Sequence, residues 1–276
     1  KIKVAAVSYL NTKPLLYGVK RSPALLEQMD LVEDFPSKIG KMLVDNEVDM
    51  GLIPVAYIPQ LKDSKIVSDY CIGSVGPVET VCLFSDVPFE EIETVILDYQ
   101  SFSSINLCKV IFHHFWKKKV VYQPATAGYI DQIKGKTAGV IIGDRVFEQK
   151  YGPKPQKYIY DLAEVWTDFT GLPFMMAAWI ANKALPSSFL KAFDLANKMG
   201  LDNLAAVSKE NPYSYFDLET YFREKISYEV NPEKMKALEL FLKLMEQTNA
   251  AEAATDQTGH TPGMQVLRIQ TADGPL

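Results

Sequence analysis

Apolar positions along this chain fall into short runs separated by helical spacings, and the two patterns alternate from the first residues onward. Ile2 to Val7 predicts a strand, and Tyr9-Leu10-Asn11-Thr12-Lys13-Pro14 is a turn that opens a helix. Leu31 to Phe35 predicts a second strand. Pro36 and Ser37 then start a helix with Ile39, Met42 and Leu43 on one face. Val48 to Ile53 is apolar enough for a buried strand, and Pro54 begins a short helical turn. Lys65 to Ile72 is a further strand, ending at Gly73-Ser74-Val75-Gly76-Pro77.

After that turn the alternation restarts. Val78 to Phe84, Thr94 to Leu97, Val120 to Tyr122, Ala138 to Ile142 and Lys157 to Tyr160 predict strands. Ser103 or Ser104 is expected to cap a helix running to about Phe115, and another helix begins near Thr126. Thr170-Gly171-Leu172-Pro173 leads into the apolar run Phe174 to Ala181. The rest is helical: Pro186 to Met199, Leu201 to Val207, Asp217 to Ile226 and Pro232 to Gln247. In the last of these Asn231 is the cap, and Met235, Leu238, Leu242 and Met245 form one stripe.

Strands alternating with helices predict an α/β fold. The C-terminal helices have no new sheet to cover, so they are expected to pack back on the first unit. Residues 1–80 with 182–247 then form one lobe, and residues 81–181 form a second lobe inserted into it. Two extended crossings join them, near Val78–Ser85 and Phe174–Asn182, and a cleft between two such lobes suits a ligand. From Asn249 the texture changes: no aromatic follows Phe241, and residues 248–276 read as a flexible or appended tail.

Composition narrows the function. A chain of 276 residues with 47% apolar content can bury a full core. Its 29 basic and 34 acidic side chains leave a net charge of -5, which disfavours a nucleic-acid partner. The longest apolar stretch, Phe174 to Ala181, is too short to span a bilayer, so no membrane role is expected. The first strand starts without a signal-type apolar segment, which points to the cytoplasm. Cys71, Cys82 and Cys108 are odd in number and lack CxxC spacing, so free buried thiols in a reducing compartment are expected. His113 and His114 are adjacent on a helix and diverge, a poor metal pair. No metal or organic cofactor is expected, and no P-loop, GxGxxG, HExxH or Ser-His-Asp order is present.

Candidate chemistry sits where strands end in small hydroxyl or amide residues as helices begin: Ser8 to Thr12, Gly73 to Pro77, Ser101 to Ser104, and Thr126 to Gly128. Free backbone N–H groups there can donate to a carboxylate or phosphate without an arginine, although any one case can be plain capping. Ser8, Gly76, Pro77, Ser101, Ser103, Ser104, Thr126, Ala127 and Gly128 are therefore candidate binding positions. Asn11 can serve as a turn-former or offer a donor and an acceptor to a ligand. Glu79 is the carboxylate nearest the first crossing, where a salt-bridged hinge residue is the more ordinary role than a base. Asp144-Arg145 follows a buried strand; Arg145 either grips a substrate carboxylate or pairs internally with Asp144.

Several blocks together carry a family resemblance. Val7-Ser8-Tyr9-Leu10-Asn11-Thr12-Lys13-Pro14-Leu15, Asp49-Met50-Gly51-Leu52-Ile53-Pro54-Val55 and Ser74-Val75-Gly76-Pro77-Val78-Glu79-Thr80-Val81 resemble chorismate dehydratase of the futalosine route to menaquinone. Leu97 through Leu107, Ile142-Gly143-Asp144-Arg145, and Thr170-Gly171-Leu172-Pro173-Phe174 with Trp179 do so too. The resemblance implies a two-lobed fold like the type II periplasmic binding proteins, with the site between the lobes. It implies that chorismate, a small-molecule substrate, loses water to give 3-[(1-carboxyvinyl)oxy]benzoate without a cofactor. It places Asn11 and Ser74 at the substrate as orienting groups, with the substrate's own enolpyruvyl carboxylate as base. Relatives carry Ser-Arg-Thr-Ser where this chain has Ser101-Phe102-Ser103-Ser104, so any grip on a carboxylate there falls to serines and backbone amides. Two rivals share the fold: a solute-binding protein for a small carboxylate, and 1,4-dihydroxy-6-naphthoate synthase. The free cysteines and the lack of a leader count against the first, and the scarcity of histidine against the second.

Overall fold

The computed structural model describes residues 1–258. Its strands are β1 (Ile2–Val7), β2 (Met29–Asp34), β3 (Met50–Pro54), β4 (Lys65–Ser74), β5 (Val81–Ser85), β6 (Thr94–Leu97), β7 (Val121–Pro124), β8 (Thr137–Ile142), β9 (Tyr158–Asp161), β10 (Phe174–Ala181) and β11 (Ser227–Glu229). A six-stranded sheet has the order β11-β4-β10-β3-β1-β2, and a five-stranded sheet the order β7-β6-β8-β5-β9.

β1 pairs in parallel with both β2 and β3, Val4 lying opposite Leu31 and Met50. The intervening helices Lys13–Val19 and Pro36–Val44 make the crossovers that parallel pairing requires. The helix Ser187–Leu201 packs back on Lys13–Val19, as the lack of a third sheet predicts. A Cβ at Gly200 would lie 1.7 Å from the Pro14 carbonyl oxygen, so only glycine permits that approach.

β10 runs antiparallel between β3 and β4 and is buried along its whole length. A strand with neighbours on both edges and cover on both faces reads as a continuous apolar run, which explains Phe174 to Ala181. It lies wholly in the larger sheet. The inserted lobe therefore ends ahead of Phe174, not at residue 181 as the pattern suggested.

The first crossing also differs from its expected form. Regular pairing in β5 begins only at Val81, and Glu79 holds a positive φ of 64°. Its amide donates to Asp161 Oδ2 at 2.6 Å, while its carboxylate lies 3.2 Å from Lys225 and 3.7 Å from Lys150. Glu79 is thus salt-bridged at the entry to the first crossing.

Other departures have local causes. The helix Leu162–Thr170 was not foreseen, although Asp161 accepts from the amides of Ala163 and Glu164 and is followed by Glu164 at capping-box spacing. Pro23–Gln28 and the three-residue β11 were missed for want of length. Ser101, not Ser103 or Ser104, caps Phe102–Val110. The Thr126 region opens only a short turn, Tyr129–Gln132, after Gly128 in the left-handed region. The last helix, Pro232–Thr258, continues well past Gln247: Thr248 is buried, and Glu252 pairs with Lys109 at 2.7 Å. The remaining part of the expected tail, 259–276, lies outside the described residues. His114 is bound to that helix through Leu244 O and Thr248 Oγ1, a structural role. The three cysteines are free and buried. Among the described residues no helix is long and apolar enough to cross a membrane.

Candidate active site

The two sheets and the first crossing line a recess that opens to solvent. The larger-sheet side contributes Val7, Tyr9, Asn11, Ile72 and Met176; the smaller-sheet side contributes Ser101, Ser104, Ile142 and Gly143; the crossing adds Val78 and Thr80. None of the described residues lining it is charged. Apolar walls of this kind suit a ring, and the few hydroxyl and amide groups orient it.

Asn11 sits in the turn Leu10–Thr12 between β1 and the following helix. The Tyr228 hydroxyl donates to its carbonyl oxygen at 2.9 Å, and its Oδ1 accepts from Thr12 Oγ1 at 3.3 Å. The carboxamide nitrogen makes no hydrogen bond among the described residues and lies at the pocket wall. Ser74 is fully buried and does not line the recess, and its Oγ has no partner among the described residues. It stands two residues beyond Ile72 on β4, so both side chains leave the same face of the strand. An unpaired buried hydroxyl costs roughly 1–3 kcal/mol, a cost that a ligand acceptor removes.

The opposite wall is built differently. Ser101 Oγ accepts from the Ser104 amide at 3.3 Å and from the Ser104 hydroxyl at 3.0 Å. The two hydroxyls share one bond, so one of their two protons has no acceptor among the described residues and is a donor at the pocket surface. Gly143 makes the floor. Its φ is 68°, and a Cβ there would meet the ring of Tyr9 at 2.9 Å. Tyr9 thus lies flat across the strand end, and its hydroxyl donates to Gln100 Oε1 from the other lobe. Burial pushes that phenol above its ordinary range, so it remains protonated.

Other predicted site residues lie elsewhere. Arg145 pairs with the fully buried Asp98, not with Asp144, and donates to Gln100 Oε1 at 2.9 Å. Asp98 also accepts from Tyr129 OH at 2.8 Å and from the amides of Gln100 and Ile142. With Thr126, Ala127, Gly128, Tyr99 and the acidic Asp131, Arg145 lines a second recess. Asp144 Oδ1 accepts from the Leu10 amide at 3.4 Å; burial raises its carboxyl to about 6, opposed by that amide and by Lys13. Ser8 is exposed, and its amide is bonded to Asp34 O. The Ser103 hydroxyl accepts from the Ala56 amide at 3.1 Å, a contact between lobes. The Gly76 amide donates to Thr167 Oγ1 at 3.2 Å, and Pro77 leads the chain from there to Val78.

Sequence reasoning missed Tyr9, Thr80, Gln100 and Gly143 as site groups. A signal existed for Gly143, a glycine directly after a buried strand. Tyr9 and Gln100 lie 91 positions apart, and nothing local pairs them.

Residues 2–247 match the family described as menaquinone biosynthesis. A chorismate dehydratase of Thermus thermophilus is 22% identical over 221 residues, covering 73% of this chain and 78% of that one. A chorismate dehydratase of Campylobacter jejuni is 31% identical over 130 residues, covering 46% of this chain and 57% of that one. A Candida albicans protein described as having the generic periplasmic binding protein fold superposes with a TM-score of 0.58 at 11% identity, covering 91% of this chain and 90% of that one. At that identity the likeness shows the fold alone: two lobes of periplasmic-binding-protein type.

Proposed function

The chain belongs to the menaquinone biosynthesis family, and from that membership we propose that it is a chorismate dehydratase. The reaction removes the ring hydroxyl of chorismate and the proton on the adjacent ether-bearing carbon. A third ring double bond forms, water leaves, and 3-[(1-carboxyvinyl)oxy]benzoate results. Aromatisation drives it. The protein must hold the ring, orient the enolpyruvyl arm and assist the departing hydroxyl.

One observation carries the assignment of roles: the pocket side chains are apolar or neutral, and the Asn11 amide nitrogen is left open among the described residues. Asn11 and Ser74 orient the substrate and steady developing charge, and Ser101, held by Ser104, donates to a carboxylate or to the leaving oxygen. The lining carries no charged side chain, and the family resemblance makes the substrate's own enolpyruvyl carboxylate the base. Ser8 and Ser103 support the walls instead of touching substrate, and Arg145 and Asp144 act at the margin.

Incubation with chorismate, followed by mass spectrometry, tests the proposal. The enolpyruvyl benzoate is expected, and treatment with a chelator leaves the rate unchanged. Chorismate that binds but is never consumed would assign the chain to the solute-binding class.

A further inference from the structure

Lys234 is wholly buried in the first turn of the helix Pro232–Thr258 and does not line the pocket. Its Nζ donates to Ser227 O at 2.7 Å and to Glu229 O, and lies 3.7 Å from Cys71 Sγ. Those two carbonyls flank Tyr228 in β11. That strand has three residues, pairs only with β4, and shifts register between its two bridges. So short an edge strand cannot fix itself. Tyr228, nearly buried, spends its one hydroxyl proton on the carbonyl of Asn11 at 2.9 Å. Lys234 also packs beside Gly73, where a Cβ would meet its Cε at 3.1 Å, one residue before Ser74.

We infer that Lys234 is a positioning residue for the active site. Through β11 and Tyr228 it holds the Asn11 turn, and through Gly73 it holds the end of β4 that carries Ser74. This deepens the proposed function and rests on the roles given there to Asn11 and Ser74. A buried ammonium is a costly way to fill space, since burial pulls it below the ordinary lysine range and an apolar side chain would pack there more cheaply. Its three N–H bonds suit the task, because two adjacent inward carbonyls need a forked donor.

The test combines kinetics with melting. Tyr228→Phe is expected to lower kcat about 10-fold or more with KM and Tm near the parent, as small displacements of a positioned group do. Lys234→Met lowers kcat at least as far and also lowers Tm. In the combined variant kcat falls no further than in Lys234→Met, because both changes cut one chain of contacts. If Lys234→Met does not fold, Lys234→Gln keeps amide donors; kcat then lies between the two, and hydrogen exchange quickens in Leu10–Thr12 and β11 but not in the smaller sheet. A parent kcat in Tyr228→Phe, or losses that multiply in the combined variant, overturns the inference. Asn11→Ala run alongside separates the failures. Full activity in Asn11→Ala overturns the reading of Asn11 and this inference with it; loss there with Tyr228→Phe unaffected overturns the inference alone.

Discussion

The pocket and the Arg145 cluster lie side by side and use polar groups in opposite ways. In the cluster the guanidinium, the buried carboxylate of Asp98, Gln100 and Tyr129 satisfy one another, and each charge has a partner. In the pocket the groups are neutral, and the Asn11 amide nitrogen has no partner among the described residues; Ser74, whose buried Oγ is likewise unpaired there, does not line it. The charges of the cluster are paired within the protein, whereas the polar groups of the pocket are neutral. A site that must stabilise charge only as it develops gains from neutral dipoles already in place, since fixed charges would grip the substrate as firmly as the transition state. The charges serve instead to lock the lobe that presents Ser101.

Variants that break this contrast should fall in a definite order. Ser74→Ala and Asn11→Ala are expected to lower kcat by about 10²–10³, more than they weaken substrate binding. Melting separates this from a scaffold role, because removing an unpaired hydroxyl at Ser74 leaves Tm at or above the parent value. An early-melting Ser74→Ala with parent turnover would remove it from the chemistry.

Asp98→Ala should act in the reverse sense. It leaves Arg145 without its carboxylate and frees two amides, so stability falls by about 3 kcal/mol in denaturant titration. Turnover per folded molecule changes less than in Ser74→Ala.

Gly143→Ala joins the two regions. Its positive φ and the Tyr9 ring both oppose a side chain, so a loss of about 1–2 kcal/mol is expected. The ring must shift, the Gln100 bond weakens, and KM rises in steady-state assays.

The smallest effect contrasts Asp144 with its sequence neighbour's partner, Asp98. Asp144 has no guanidinium, and burial raises its carboxyl from 3.8 to about 6. Between those pH values the folded protein holds this proton more tightly than the unfolded chain. Its contribution to stability is therefore greatest on the acid side and declines as pH rises through that window. Asp144→Asn should flatten this decline in melting curves taken from about pH 4 to 6; an unchanged slope would show the carboxyl to be better solvated than its setting implies.

Local pattern by itself determined the alternation of strands and helices, the two-lobed α/β plan, the buried apolar run that became β10, and the turns holding Asn11 and Ser101. Those features follow from side-chain period, proline and capping, which act over a few residues. The family blocks likewise marked Asn11 and Ser74. Which sheet received β10 was a matter of long-range pairing, because a strand apolar on both faces fits the interior of either sheet. Arg145 found Asp98 rather than its neighbour Asp144, since a side chain leaving a strand end meets whatever the next strand presents. The same reason explains Tyr9 reaching Gln100 and Tyr228 reaching Asn11: such hydrogen bonds need two segments far apart in the chain brought within about 3 Å, and no spacing along the chain encodes that distance.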